Sequence, residues 1–179
     1  MPDDTLNIDQ PDVGIAAGAS AGDQSPRLSL RTQYTKDLSF ESLMAPDSLS
    51  TILERPYGDT SITVLIRKLG ENDYEVQLEF SITASRNGES AFVVELIYAG
   101  VFILRGFEGE AERRTLWVRC PSLLFPFARR IIADVVQDGG FPPLMLMPVN
   151  FLRMYQQRVT EIAAEREPDN NSADNDRVL

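Results

Sequence analysis

Between Leu30 and Glu41 the chain alternates with period two. Leu30, Thr32, Tyr34, Leu38 and Phe40 share one face, and Arg31, Gln33, Thr35, Asp37, Ser39 and Glu41 share the other. That is the pattern of a strand half-buried on one side. Residues 42–60 carry Pro46, Pro56 and the turn signal Tyr57-Gly58-Asp59, and read as a long crossover connection in which Leu49, Ile52 and Leu53 tack the loop to the body. A second strand over Ser61–Lys68 puts Ile62, Val64 and Ile66 on one face. Gly70-Glu71-Asn72-Asp73 then turns the chain into Tyr74–Ser85, where Tyr74, Val76, Leu78, Phe80, Ile82 and Ala84 oppose Glu75, Gln77, Glu79, Ser81, Thr83 and Ser85. Asn87-Gly88 suits a tight hairpin, because both residues tolerate positive φ. The fourth strand, Ala91–Phe102, sets Phe92, Val94, Leu96, Tyr98 and Phe102 against Val93 and Glu95. These strands predict an antiparallel sheet with one greasy face and one polar, rather acidic face.

The period then changes to that of helices. A short helix is predicted over Glu110–Val118 and a main helix over Ser122–Gln137, with Pro121 at its first turn and Pro126 as a bend. Leu123, Leu124, Phe127, Ile131 and Val135 make a stripe that Phe125, Ile132 and Val136 widen beyond one face. Gly139-Gly140 ends this helix, and Asn150 caps a second that runs to about Glu165 with Phe151, Tyr155, Val159 and Ile162 in line. The predicted class is α+β, a four-stranded antiparallel sheet with two C-terminal helices packed on one face. Between the helices lies Phe141–Met147, FPPLMLM, apolar throughout and barred from regular helix by its prolines. Such a connector is no ordinary solvated loop. Either it is buried against another surface, or it binds something oily.

One sheet and two helices cannot hide this many large apolar side chains within a monomer. A homo-oligomer with helices between sheets is the economical solution, with Leu124, Phe127, Ile131 and Val135 of the main helix at the contact. The alternative is a wide stripe that fits a concave sheet.

Composition narrows the chemistry. The chain has 179 residues and no histidine, which removes the commonest general base and metal ligand and every Ser-His or Cys-His arrangement. No metal and no cofactor is expected. Its single cysteine, Cys120, rules out an internal disulfide framework and fits a reducing cytoplasm. No stretch reaches the roughly 20 apolar residues of a membrane span, and the acidic first residues lack the basic and apolar regions of a signal peptide.

The net charge of −10 sits mostly at the ends. Residues 1–26 hold five aspartates and no base, and residues 159–179 hold six acids against two arginines. Removing both ends from the 27 acids and 17 bases leaves 16 acids and 15 bases, a nearly neutral body. Residues 1–26 and 166–179 therefore read as acidic, disordered tails around a folded domain over 27–165. They serve solubility or dock a basic partner. Nucleic-acid binding is disfavoured on this balance, and no segment points to direct membrane insertion.

Several blocks carry a family resemblance. Tyr34-Thr35-Lys36-Asp37-Leu38-Ser39-Phe40-Glu41, Ala91-Phe92 to Gly100-Val101-Phe102, Gly106-Phe107-Glu108-Gly109, Cys120-Pro121 to Leu124-Phe125-Pro126-Phe127-Ala128-Arg129, and Gly139-Gly140-Phe141-Pro142-Pro143-Leu144 through Pro148-Val149-Asn150-Phe151 follow in order from about residue 30 to 158. Together they closely resemble SecB, the bacterial protein-export chaperones. The resemblance implies a tetramer arranged as a dimer of dimers, with the main helices between two sheets. It also implies an ATP-independent holdase that keeps unfolded precursor proteins open and delivers them to the SecA motor. The implied substrate groove uses the connector, here Phe141, Pro142, Leu144, Met145, Leu146 and Met147. The implied SecA-binding patch on the outer sheet face is Asp37, Glu41, Val93 and Glu95, all four on the solvent side of the strands read above. The extreme C-terminus is a second docking element in the family, matching the tail from Arg166. The crossover departs from the family, which commonly carries a tryptophan where this chain reads Ile52-Leu53-Glu54-Arg55-Pro56.

Holding follows from residue types. Each apolar client side chain buried in a groove contributes roughly 1.5–3 kcal/mol before ordering costs, so a few contacts suffice without a sequence code. Met145, Met147 and Met154 suit such a surface because a thioether adapts its shape, although Met154 on a helix suits the core equally. Binding the unfolded state shifts the folding equilibrium and needs no nucleotide; no Gly-rich phosphate loop occurs in the sequence. Catalysis would need a polar constellation. Glu108, Glu110 and Glu112 beside Arg113 and Arg114 read instead as acids at a helix start, and Glu75 and Glu79 as solvated sheet positions. A SecB-like chaperone dedicated to an antitoxin or another specific client is the competing function.

Overall fold

The computed structural model describes residues 25–43, 57–86 and 89–165. The two tails, most of the crossover with Leu49, Ile52 and Leu53, and the Asn87-Gly88 turn lie outside these residues. Four strands, β1 (Arg27–Ser42), β2 (Tyr57–Lys68), β3 (Asp73–Arg86) and β4 (Glu89–Arg105), form one antiparallel sheet in the order β1-β4-β3-β2. The crossover thus carries the chain from one sheet edge to the other.

The inner face is built by alternation. Val76, Leu78, Phe80, Ile82 and Ala84 of β3 and Phe92, Val94, Leu96 and Phe102 of β4 are buried in one core. Asn87-Gly88 lies between Arg86 and Glu89, which pair with each other, and Ser85 pairs with Ser90. A register shift after Ala84 then pairs it with Phe92, which brings both inner rows to one side.

β1 departs from simple alternation. Two bulges interrupt its pairing with β4, one between Leu30 and Thr32 and one between Thr35 and Asp37. Because a one-residue slip flips every following side chain, the first bulge sends Thr32 and Tyr34 to the outer face and turns Gln33 and Thr35 inward. This reverses the expectation for those four residues. The second bulge, at Lys36, restores Leu38 and Phe40 to the inner face and Asp37, Ser39 and Glu41 to the outer one.

A continuous helical segment follows. α1 (Gly109–Arg114) passes through a π-helical stretch, Thr115–Arg119, into α2 (Cys120–Asp138). The expected break between two helices is absent. Pro121 falls in the first turn of α2, where its missing N–H costs little, and the widened π turn precedes it. Cys120, Leu124, Ala128, Ile132 and Val136 form a fully buried ridge against the sheet. Gly100 admits this ridge, since a Cβ there would lie 2.7 Å from Leu124 Cδ2. Leu123, Phe127, Ile131 and Val135 run alongside, with Leu123 and Phe127 exposed.

The C-terminus of α2 is a Schellman motif. The Gly140 N–H donates to the Gln137 carbonyl at 2.9 Å and the Phe141 N–H to the Val136 carbonyl at 3.2 Å. Gly140 takes φ 86°, the left-handed conformation that the motif requires. Asn150 caps α3 (Phe151–Glu165), its Oδ1 accepting from the Arg153 N–H at 3.0 Å. Phe151 and Tyr155 are buried, whereas Val159 and Ile162, further along the same stripe, are exposed. α3 lies against the π-helical stretch, and residues 156–163 are exposed. Among the described residues no helix is long and apolar enough to cross a membrane.

Candidate functional site: a pinned connector, an adjoining cleft and an acidic sheet face

The connector has two sides. Phe141 stacks on Phe92, with ring centroids 4.8 Å apart, and meets Phe40 at 6.4 Å. Leu146 is buried, and Leu144 and Val149 pack against the core. Met145 and Met147 point away from it, 60% and 79% exposed. The six expected groove residues therefore divide: Phe141, Leu144 and Leu146 anchor the segment, Pro142 is half-buried, and the two methionines face outward. Three prolines, Pro142, Pro143 and Pro148, restrict its backbone. One side of the segment is thus buried against the core, and the other leaves Met145 and Met147 in solvent.

Sequence reasoning passed over a second concave surface. A cleft of mixed character opens between β2 and α3, with Ile62, Val64, Trp117, Met154 and Tyr155 beside Thr63, Gln157, Arg158 and Glu161. The Arg158 guanidinium lies over the Trp117 ring, 4.8 Å from its centroid. Met154 is half-buried and packs on the core while lining this cleft. The signal available was the chain's only tryptophan, on the stretch read as a short helix over Glu110–Val118.

The outer face of the sheet carries Asp37, Glu41, Val93 and Glu95 together, as expected from alternation. Pairing adds two neighbours that the alternation left unremarked. Ile97 stands directly between Asp37 of β1 and Glu79 of β3. Val93 pairs with Glu41 in the same way, and Glu95 with Ser39. Asp37, Glu41 and Glu95 are exposed, and Val93, Ile97 and Glu79 are half-buried. The described helices pack on the opposite side of the sheet.

Glu75, on this same face, is not a solvated position. It is 1% exposed and gathers four donors. Tyr34 Oη donates to it, as do Gln77 Nε2 at 2.7 Å, Lys36 Nζ at 3.3 Å and Arg67 Nε at 3.1 Å. Burial pushes the carboxyl up, but the bonds from Tyr34, Gln77 and Lys36 and the Lys36 charge outweigh it and leave the group below its ordinary value. Lys36 is the bulged residue immediately before Asp37. The cluster thus ties both edge strands to β3 and holds the register that presents Asp37 outward.

The remaining acids of interest are also engaged. Tyr155 Oη donates to Glu110 at 2.8 Å, and Tyr74 Oη donates to Glu112. The Glu112 bond, with burial, pushes the Tyr74 phenol up to about 12. Burial raises the Cys120 thiol to about 12, so at neutral pH it stays protonated and unreactive. Among the described residues no group of three or more His, Cys, Asp or Glu side chains could hold a metal ion.

Known proteins share both the sequence and the architecture. A family model described as "Preprotein translocase subunit SecB" matches residues 21–162. The protein-export protein SecB of Mesorhizobium japonicum is 44% identical over 155 residues, covering 87% of this chain and 92% of its own. That of Chelativorans is 48% identical over 139 residues, covering 78% and 83%, and that of Rhizobium meliloti 43% over 150 residues, covering 84% and 89%. Among solved structures, a Mycobacterium tuberculosis SecB-like chaperone in complex with a peptide from the HigA1 antitoxin superposes with a TM-score of 0.58 at 15% identity. That match covers 69% of this chain and 91% of the other, and it speaks for the fold. With the family model spanning most of its length and relatives this similar, the chain belongs to the SecB family of protein-export chaperones.

Proposed function

We propose that this chain holds unfolded precursor proteins in an apolar groove, without nucleotide, and delivers them to the SecA motor as a cytoplasmic homotetramer. The observation that carries the reading is the connector, whose inner side chains are locked in the core while Met145 and Met147 stay in solvent. An apolar ledge fixed on one side and open on the other suits clients that share no sequence. The cleft beside Trp117, with Ile62, Val64 and Met154 among its walls, offers further apolar contacts to an extended chain. Client binding draws on apolar contact and on preference for the unfolded state, so it requires no catalytic group.

The outer face supports the delivery step. Asp37, Glu41 and Glu95 form an exposed acidic surface around Val93 and Ile97, and none of the three carboxylates has an ion-pair partner among the described residues. Such a face steers a basic partner and weakens as salt rises. Leu123 and Phe127, exposed beside Ile131 and Val135 on α2, support a contact between copies; Leu124, also expected there, belongs to the core. The dedicated-client alternative has only the distant structural likeness in its favour.

A native pull-down from the source cell decides the reading. Recovery of SecA together with several unfolded precursors supports it. Recovery of one dedicated client without SecA would replace it with the alternative.

A further inference from the structure

The connector carries a chemistry beyond client contact. Met145 and Met147 sit two residues apart on the outer side of the connector, and Leu146 between them is buried. The alternation of exposed, buried and exposed positions puts both thioethers on the solvent side. They are the two most exposed of the large apolar side chains described. Met154 is half-buried against the core, and Cys120 is buried with its thiol held protonated. Among the described sulfurs, an oxidant in solvent therefore meets these two first.

We propose that Met145 and Met147 are a paired oxidation site, at which a peroxide-class oxidant converts both thioethers to sulfoxides and turns off client holding by the connector. This rests on the reading that the connector contacts clients. A sulfur lone pair attacks one peroxide oxygen, the O–O bond breaks and an S–O bond forms. The departing hydroxide takes the remaining proton to leave water. Each sulfur loses two electrons and each peroxide gains two. The product side chain is polar and chiral where the parent was apolar and adaptable, so the ledge loses the property that suited it to unfolded chains. A dithiol acting through methionine sulfoxide reductases reverses the change, becoming a disulfide as water leaves.

The test uses the full chain, hydrogen peroxide and a chemically unfolded precursor. Peptide mass spectrometry locates each added oxygen, and retention of the precursor is measured before and after. The expected result is oxidation of Met145 and Met147 ahead of Met154, with retention about tenfold weaker. The variant M145L/M147L, scored against its own untreated level, should lose nothing further on treatment, and reductase with dithiothreitol should restore the oxidised wild type. Oxidation at Met154 first, unchanged retention with both sulfoxides formed, or an equal loss in M145L/M147L would each overturn the proposal. Untreated M145S/M147S separates it from the reading beneath it. Weakened retention there, with no effect of oxidation, sinks the switch alone; wild-type retention sinks the connector as client surface as well.

Discussion

Tyr34 reaches across β4 to donate its phenolic hydrogen to Glu75 on β3. Ala99, paired with Tyr34 on the intervening strand, is small enough to be passed over. The contact exists because a bulge turned Tyr34 to the outer face, and the second bulge places Lys36 beside the same carboxylate.

Removing that carboxylate strands four donors. Glu75→Ala should cost about 2–4 kcal/mol in denaturant unfolding, because buried, charge-assisted bonds are lost together. The pH dependence has a definite sign. The folded group lies below its ordinary value, so its contribution is complete above the unfolded value of about 4.3 and is lost as pH falls through the folded one. The stability gap between wild type and Glu75→Gln should hold steady at neutral pH and shrink below about pH 4.

Gly139 ends α2 against the ring of Phe40. A Cβ there would lie 2.2 Å from Phe40 Cζ, although its φ of −72° suits any residue. Gly139→Ala should therefore destabilise by about 1–3 kcal/mol through crowding rather than backbone strain. Pairing it with Phe40→Leu should recover part of that loss in thermal unfolding, which a backbone effect would not allow.

The divided connector separates two kinds of substitution. Leu146→Ser removes a core side chain and should cost about 2–4 kcal/mol, visible as a lower denaturation midpoint. Met145→Ser should leave that midpoint within about 0.5 kcal/mol of wild type, because its side chain is exposed.

Phe127 tests the assembly. It is 45% exposed on α2 beside the buried ridge, so Phe127→Asp should leave the fold intact by circular dichroism. A charge placed in an apolar contact between copies is costly. Light scattering should then report dissociation of the proposed tetramer to smaller species.

On the outer face, charge and apolar contact should come apart with salt. Asp37→Ala with Glu95→Lys should lower SecA affinity most at low salt, whereas Ile97→Asn should lower it about tenfold at every salt concentration. Calorimetric titrations at two ionic strengths read both effects.

The legible parts of this fold were those where periodicity ran unbroken. β3, β4 and the two caps of the connector were visible because alternation, Gly139-Gly140 and Asn150 are local signals. The bulges of β1 were not, since period-two reading assumes a constant register and Tyr34 fitted the apolar row. One bulge was inferable. A two-residue turn at Asn87-Gly88 pairs even positions with odd ones, and only a slip brings Phe80 opposite Leu96. The short and main helices were read as separate because a widened helical turn leaves no mark in hydrophobic spacing. The acids Asp37, Glu41 and Glu95 were placed by alternation, but Ile97 and Glu79 became their neighbours only through pairing across three strands. Glu75 was misjudged as solvated for the same reason, because its burial comes from Tyr34, Lys36 and Arg67 on other strands.

The central claim is holding without nucleotide, and refolding kinetics test it most directly. A slow-folding precursor is diluted from denaturant with and without this protein, in the absence of ATP. The account predicts that refolding stops at a stoichiometric ratio of chaperone to client and resumes when the client is released. Refolding at an unaltered rate with the protein in excess would contradict it.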